Sequence, residues 1–286
     1  MSASCTGRAP GKLILLGEHS VVVGHRAIAA VVSRGTTVTL TDIDGPTQLG
    51  ESSIQDDRLM TALRAVLPAV GLKVDIFTDL PVGRGMGSSA ALAIALLRAR
   101  AAREGRAPDF AELHRDGFVI ERVFHGNPSG LDHCVVAMGG AVLYRRGEAP
   151  APIQMPSYPV VVLDSGVAGD TGQLVAGVAS RRPGVDPALD RLGQLVELAL
   201  PSLHDPRALG EIMNEAHARL GEIGVSTPGL DEMCALALQN GALGAKLSGA
   251  GGGGVVLALC PDGGEALVQA AARRKIAAFA CRLPEA

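Results

Sequence analysis

The sequence predicts strands interleaved with helices, a mixed fold of α+β or α/β layers. Two kinds of segment predict it. Short continuous apolar runs, at 13–16 and 255–260, read as buried strands, and segments such as 57–70 and 265–275 carry helical periodicity. Composition agrees. Of 286 residues 47% are hydrophobic and 19% charged, which gives material for a core and argues against disorder.

In order, 7–17 reads as strand, and 27–40, rich in Val, Thr, Ile and Ala, as further strand. The polar stretch 42–53 contains Gly-Pro and reads as loop. Leu59, Leu63, Val66 and Leu67 mark a helix over 57–70, and 73–78 alternates as a strand. A glycine loop at 81–87 leads into an alanine-rich helix over 88–103. Helices follow over 108–124 and 131–138, broken at 125–130, then a strand at 141–144. The segment 145–159 holds four prolines, so a domain boundary is placed at 152/153, giving domains 1–152 and 153–286. Beyond it lie a strand at 160–163, helices at 172–180, 187–200, 206–220 and 229–239, the strand at 255–260 and the helix at 265–275.

A formal net charge of -3 gives no electrostatic case for nucleic acid or an acidic membrane surface as partner. The most apolar stretch, 90–97, stops at Arg98, too short to span a bilayer. No secretion signal is evident at the N-terminus. Cys5, Cys134, Cys234, Cys260 and Cys281 are odd in number and form no Cys-x-x-Cys pair. Neither a disulfide framework nor a zinc site is expected, and a cytoplasmic location fits. His25, His114, His204 and His217 lack metal-ligand spacing and read as surface or core residues. The sequence leaves oligomeric state open, a homodimer included.

The glycines, 37 in all, cluster in segments that carry chemistry. In the first segment, Ala9-Pro10-Gly11-Lys12 precedes four apolar residues and Gly17-Glu18-His19 follows them. Charges bracketing a buried strand need partners, since burying them alone costs several kcal/mol. In the second, Pro81-Val82-Gly83-Arg84-Gly85-Met86-Gly87-Ser88-Ser89-Ala90 joins a strand to a helix. Glycines let backbone approach a phosphate, and the helix start offers free N–H groups. Ser88 or Ser89 is expected to cap the helix, and one hydroxyl to bind Mg²⁺. Neither the P-loop ending nor the Rossmann fingerprint is present. The third segment, Lys246 to Gly254, has five glycines in its last six positions and runs into strand, so it reads as a second backbone cradle. Two carboxylates, Glu121 and Asp132, flank the turn 125–130 and suit a metal ligand and a group near an attacking hydroxyl.

Together, and in this order, these segments resemble the GHMP small-molecule kinases, and within them the mevalonate kinases. Its central motif reads here as His125-Gly126-Asn127-Pro128-Ser129-Gly130-Leu131-Asp132. The resemblance implies an α+β body, with a ribosomal-protein-like N-terminal domain, a ferredoxin-like C-terminal domain and the active site between them. It implies ATP and Mg²⁺ as cofactors and mevalonate as acceptor. Asp132 falls at the catalytic base and Lys12 at the lysine that stabilises charge on the reactive oxygen. Pro81, Gly83, Gly85, Met86, Gly87, Ser88, Ser89, Ala90, Gly249 and Gly251 fall at ATP-contacting positions, and Ser89 and Glu121 at Mg²⁺ ligands. Lys12, Glu18, His19, Asp132 and Thr171 fall on the substrate side. Arg84 and Met86 depart from the usual loop, and Arg84 either adds a phosphate contact or faces solvent. The alternatives are a related kinase acting on phosphomevalonate, homoserine or a sugar, and a non-catalytic ATP-binding sensor. A phosphorylated acceptor would call for extra basic residues, for which Arg84, Lys73 and Lys246 are the candidates.

Overall fold

A computed structural model describes residues 4–125 and 129–285. The chain forms two compact units, neither continuous in sequence. Unit 1 comprises Met1–Gly11, Arg34–Val82 and Gly87–Gly139; unit 2 comprises Lys12–Ser33, Gly83–Met86 and Gly140–Ala286. Two long paired strands, β1 (Ser4–Leu16) and β2 (Arg26–Pro46), run through both.

In unit 1 the second half of β2 pairs antiparallel with β4 (Val70–Thr78), and β3 (Gln48–Ser52) lies parallel beside β4. The stretch expected as loop at 42–53 is thus largely strand. β4 supplies ladder partners that override its polar composition, since strand propensity depends strongly on context. The helix expected over 57–70 shrinks to α1 (Leu59–Arg64), because Pro68 disfavours helix at Leu67 and β4 begins at Val70.

Helix α2 (Ser88–Arg103) is alanine-rich and buried along most of its length. It packs on α3 (Phe110–His125) and α4 (Leu131–Met138), which also pack on each other. Small side chains let α2 approach β1 closely. A β-carbon on Gly7 would overlap the backbone at Ala95 and Ala99. On the outer side, Arg100 bonds Glu112 at 2.8 Å and Asp116 at 2.7 Å, tying α2 to α3. Arg106 also grips both oxygens of Glu112.

In unit 2 the first half of β2 pairs antiparallel with β5 (Ala141–Arg145), and β5 pairs with β6 (Ala151–Ile153). β7 (Tyr158–Asp164) then opens a second sheet. Helices α5 (Thr171–Ser180), α6 (Asp186–Ala199), α7 (Pro206–Glu222) and α8 (Pro228–Gln239) follow. The chain returns through β8 (Gly244–Ser248), β9 (Val255–Leu259), α9 (Glu265–Arg273) and β10 (Ala277–Leu283). The four strands form an antiparallel sheet in the order β10-β7-β9-β8. Taking α5 to α8 as one helical stretch, the pattern is β-α-β-β-α-β, the ferredoxin-like arrangement. Caps fix the helix starts. Asp205 accepts from the N–H groups of Arg207 and Ala208 ahead of Pro206, and Thr227 accepts from Leu230 N–H ahead of Pro228.

Two predictions follow from unit 1. Gly7→Ala should lower stability by roughly 1–3 kcal/mol through overpacking against α2; an unchanged denaturant midpoint would contradict the close approach. Hydrogen bonds from Arg106 hold the Glu112 carboxyl down at about 2, against an ordinary value of 4.5. Its contribution to stability is therefore present above about pH 4.5 and is lost as pH falls towards about 2. Glu112→Gln should flatten the acid-unfolding curve in that interval, and an identical curve would count against the pairing.

Candidate functional site

The residues singled out from the sequence fall into two groups, one in each unit.

Unit 2 gathers the first segment from Lys12 onward, Gly83 to Met86 of the second and all of the third. Lys12 is buried inside β1. Its backbone N–H donates to Met86 O at 3.0 Å, and its Nζ donates to Gly85 O at 3.2 Å. Ser248 Oγ accepts from Ile14 N–H at 3.0 Å and lies 3.1 Å from Ile14 O as donor, clasping β1 to the end of β8. Gly85 lies against the third segment, where its β-carbon would stand 2.9 Å from Ser248 O.

Gly249, Gly251, Gly253 and Gly254 are buried, and all four have positive φ. Added β-carbons would overlap Val225 O at Gly251 and stand 2.5 Å from Val167 O at Gly253. Only glycine meets both demands. Arg84 does not simply face solvent. It is ion-paired to Asp164 at 3.4 Å, and its Nη1 is buried without a hydrogen-bond partner among the described residues.

Glu18 and His19 follow β1. Glu18 is 1% exposed and Lys246, on β8, 0% exposed; the two form a buried ion pair, and Lys246 also donates to Leu247 O at 2.7 Å. Burial pushes the Glu18 carboxyl up, and the Lys246 ammonium opposes the rise. Lys246 and Glu18 thus answer the need for a partner that the first segment raised. The sequence offered no signal for the pairing, because the two residues are 228 positions apart.

His19 takes a positive φ of 59°, one of two such non-glycine residues among those described. Strain of this kind persists only where surroundings over-determine it and clusters at functional sites. Its Nε2 lies 2.8 Å from Ala250 O, so Nε2 carries the proton and donates. Burial pulls its pKa below 6.5, so the ring is neutral at pH 7 with Nδ1 as acceptor. Thr171 is exposed as the first residue of α5, with Asp170 capping that helix.

Unit 1 holds Gly87 to Ala90, Glu121 and Asp132. Neither Ser88 nor Ser89 caps α2. Gly87, in left-handed conformation, is the N-cap of α2, and no side chain caps it. Ser88 and Ser89 are the first helical residues, and Ser89 Oγ is 3.0 Å from His125 Nε2. Glu121 is buried on the last turns of α3. Asp132 sits in the first turn of α4, half-buried, behind the left-handed N-cap Gly130. Gly126, Asn127 and Pro128 of the central motif lie outside the described residues. Pro81 is half-buried at the end of this unit's second stretch.

The side chains offer what phosphoryl transfer asks for: backbone N–H groups at a helix start, a buried ammonium on a glycine loop and carboxylates on packed helices. Oxygen donors such as the Glu121 carboxylate and Ser89 hydroxyl suit a hard cation such as Mg²⁺.

Comparison with known proteins agrees. Residues 57–140 match the GHMP kinases N-terminal domain, and residues 188–278 match the GHMP kinases C-terminal domain. The mevalonate kinase of Pyrococcus horikoshii is 35% identical, with 88% of each chain covered, and that of Pyrococcus abyssi is 34% identical with the same coverage. The crystal structure of L. major mevalonate kinase in complex with R-mevalonate superposes with a TM-score of 0.88 at 28% identity, covering 99% of this chain and 96% of that one.

Removing one partner of a buried ion pair strands the other charge. Lys246→Met alone should therefore cost about 3–5 kcal/mol of stability, and the Glu18→Gln/Lys246→Met double variant distinctly less. Denaturant titration of both variants checks this; equal losses would show that the pair is not coupled.

Proposed function

We propose, because the chain belongs to the mevalonate kinases of the GHMP kinase superfamily, that it transfers the γ-phosphoryl group of ATP to the primary hydroxyl of mevalonate, yielding 5-phosphomevalonate. The observation that carries this reading is the hold of Lys12 on the glycine loop, through its backbone to Met86 and its ammonium to Gly85. That hold puts a buried positive charge at the segment assigned to the phosphates.

In this mechanism the N–H groups of Gly87 to Ala90, at the start of α2, face the phosphates, helped by the helix dipole. Pro81, Gly83, Gly85 and Met86 shape the approach to that helix, and Gly249 and Gly251 supply the second stretch of backbone. Lys12 offsets charge on the transferring group. Asp132 accepts the hydroxyl proton of mevalonate. His19, neutral and holding its proton toward Ala250, offers Nδ1 to the substrate, with Glu18 and Thr171 on the same side. Ser89 and Glu121 would hold Mg²⁺, which neutralises developing phosphate charge when bound. Transfer of this kind has a loose transition state, so positioning and electrostatics dominate over proton abstraction. The division of the sequence at 152/153 belongs to the same proposal, and both family matches lie clear of it. A cytoplasmic location accords with the free cysteines, and no helix of the described residues is long and apolar enough to cross a membrane.

A phosphorylated acceptor is disfavoured on charge. The three basic candidates for a second phosphate each have an acidic partner: Arg84 with Asp164, Lys73 with Asp75 at 3.1 Å, and Lys246 with Glu18. A panel of acceptor alcohols in a coupled ADP assay tests this choice. Mevalonate should be used far faster than phosphomevalonate, homoserine or galactose. Preference for another acceptor, or no ADP release with any, would overturn the assignment. Asp132→Asn should lower kcat by at least about a hundredfold with little change in the KM for ATP. Near-normal turnover would remove Asp132 from its role.

A further inference from the structure

Unit 1 carries a cluster for which phosphoryl transfer has no use. His114 on α3 and the consecutive His133 and Cys134 on α4 converge. His114 Nδ1 is 3.0 Å from His133 Nε2 and 3.2 Å from Cys134 Sγ, and the three atoms all lie within 4.8 Å of one another. His133 and Cys134 are fully buried, while His114 is exposed. Gly117 on α3 lies against His133, where an added β-carbon would stand at ordinary contact distance, 3.6 Å from His133 Cβ. Phe110 lies parallel to the His114 ring, and Phe118 tilts against His133, so the cluster has apolar flanks. Sequence spacing gives no sign of this convergence; folding brings His114 to residues 19 and 20 positions away.

Two neighbours crowd the single donor or acceptor position of His114 Nδ1. If His114 Nδ1 is an acceptor, its single lone pair faces two donors, His133 N–H and Cys134 S–H. If it is a donor, one proton faces two acceptors. In either case His133 Nδ1 remains a buried polar atom with no partner among the described residues. A cation would relieve the crowding at His114 Nδ1; it would fix the proton of His133 on Nδ1, which faces away from the convergence point. A cation at the point of convergence would take one lone pair from each group. Tetrahedral zinc bonds place two nitrogens about 3.4 Å apart, and nitrogen and sulfur about 3.6 Å apart. The two contacts of His114 Nδ1, at 3.0 and 3.2 Å, are within about half an ångström of those spacings, and the third pair lies within 4.8 Å.

We infer that His114, His133 and Cys134 form a binding site for one borderline-soft divalent cation of the zinc class, closed by water on the exposed His114 side. Two imidazoles and a thiolate select such an ion over Mg²⁺ or Ca²⁺, which prefer oxygen. On binding, the metal–sulfur bond forms as the Cys134 S–H bond breaks, and the proton leaves to solvent. The bound ion staples α3 to α4, and these helices carry Glu121 and Asp132. This site is separate from the oxygen donors assigned to Mg²⁺.

Cobalt(II) is the probe. The full chain is stripped with chelator, exchanged into metal-free buffer and titrated with Co²⁺, with visible and near-ultraviolet absorption recorded. The expected result is a thiolate-to-cobalt charge-transfer band that saturates at one equivalent and is displaced by Zn²⁺. Cys134→Ser should lose the band, and His114→Gln, an exposed change that leaves the core intact, should weaken Co²⁺ binding about tenfold or more. Circular dichroism confirms that each variant is folded. Absence of the band in the wild-type chain, or an undiminished band in folded His114→Gln and Cys134→Ser, overturns the site.

Discussion

Backbone lying directly on backbone is the constraint on which unit 2 depends. Gly85 meets the carbonyl of Ser248, Gly254 meets that of Arg84, and Gly251 and Gly253 press on Val225 and Val167. A side chain at any of these positions would force the segments apart. The same segments carry the hydrogen bonds of Lys12 to Gly85 and of His19 to Ala250. Packing and chemistry therefore make one demand on the same glycines. The five glycines among residues 249–254 raise the entropy of the unfolded chain, and close contact offsets that cost.

Behind this layer stands the buried pair of Lys246 and Glu18. Such a pair is weak evidence for stability, since desolvation opposes attraction. Its value here is positional. Lys246 leaves β8 two residues before Ser248 clasps Ile14, and Glu18 immediately precedes the strained His19. Fixing Glu18 helps hold the turn in which His19 keeps an unfavourable φ and a defined tautomer. The charge that the sequence marks as costly thus becomes the anchor of the turn.

Elements bounded by strong punctuation were legible. α2 begins after Gly87 and α4 after Gly130, and both match the expected spans because glycine in left-handed conformation stops one backbone state and admits the next. β8 and β10 were not read. Gly244–Ser248 and Ala277–Leu283 are short and rich in alanine or glycine, so only their sheet partners make them strands. Candidate residues could be named, because the motifs are local. What they touch could not. The pairs of Lys246 with Glu18, Arg84 with Asp164 and Ser89 with His125, and the meeting of His114 with Cys134, all join residues far apart in the chain, and local periodicity carries no trace of them.

Phosphorus NMR of one reaction mixture tests the central claim most directly. With purified chain, MgATP and R-mevalonate, the γ-phosphorus signal should convert one for one into a phosphomonoester signal of the acceptor, with ADP as co-product and little inorganic phosphate. Conversion to inorganic phosphate alone, or an ATP spectrum that does not change, would contradict the account.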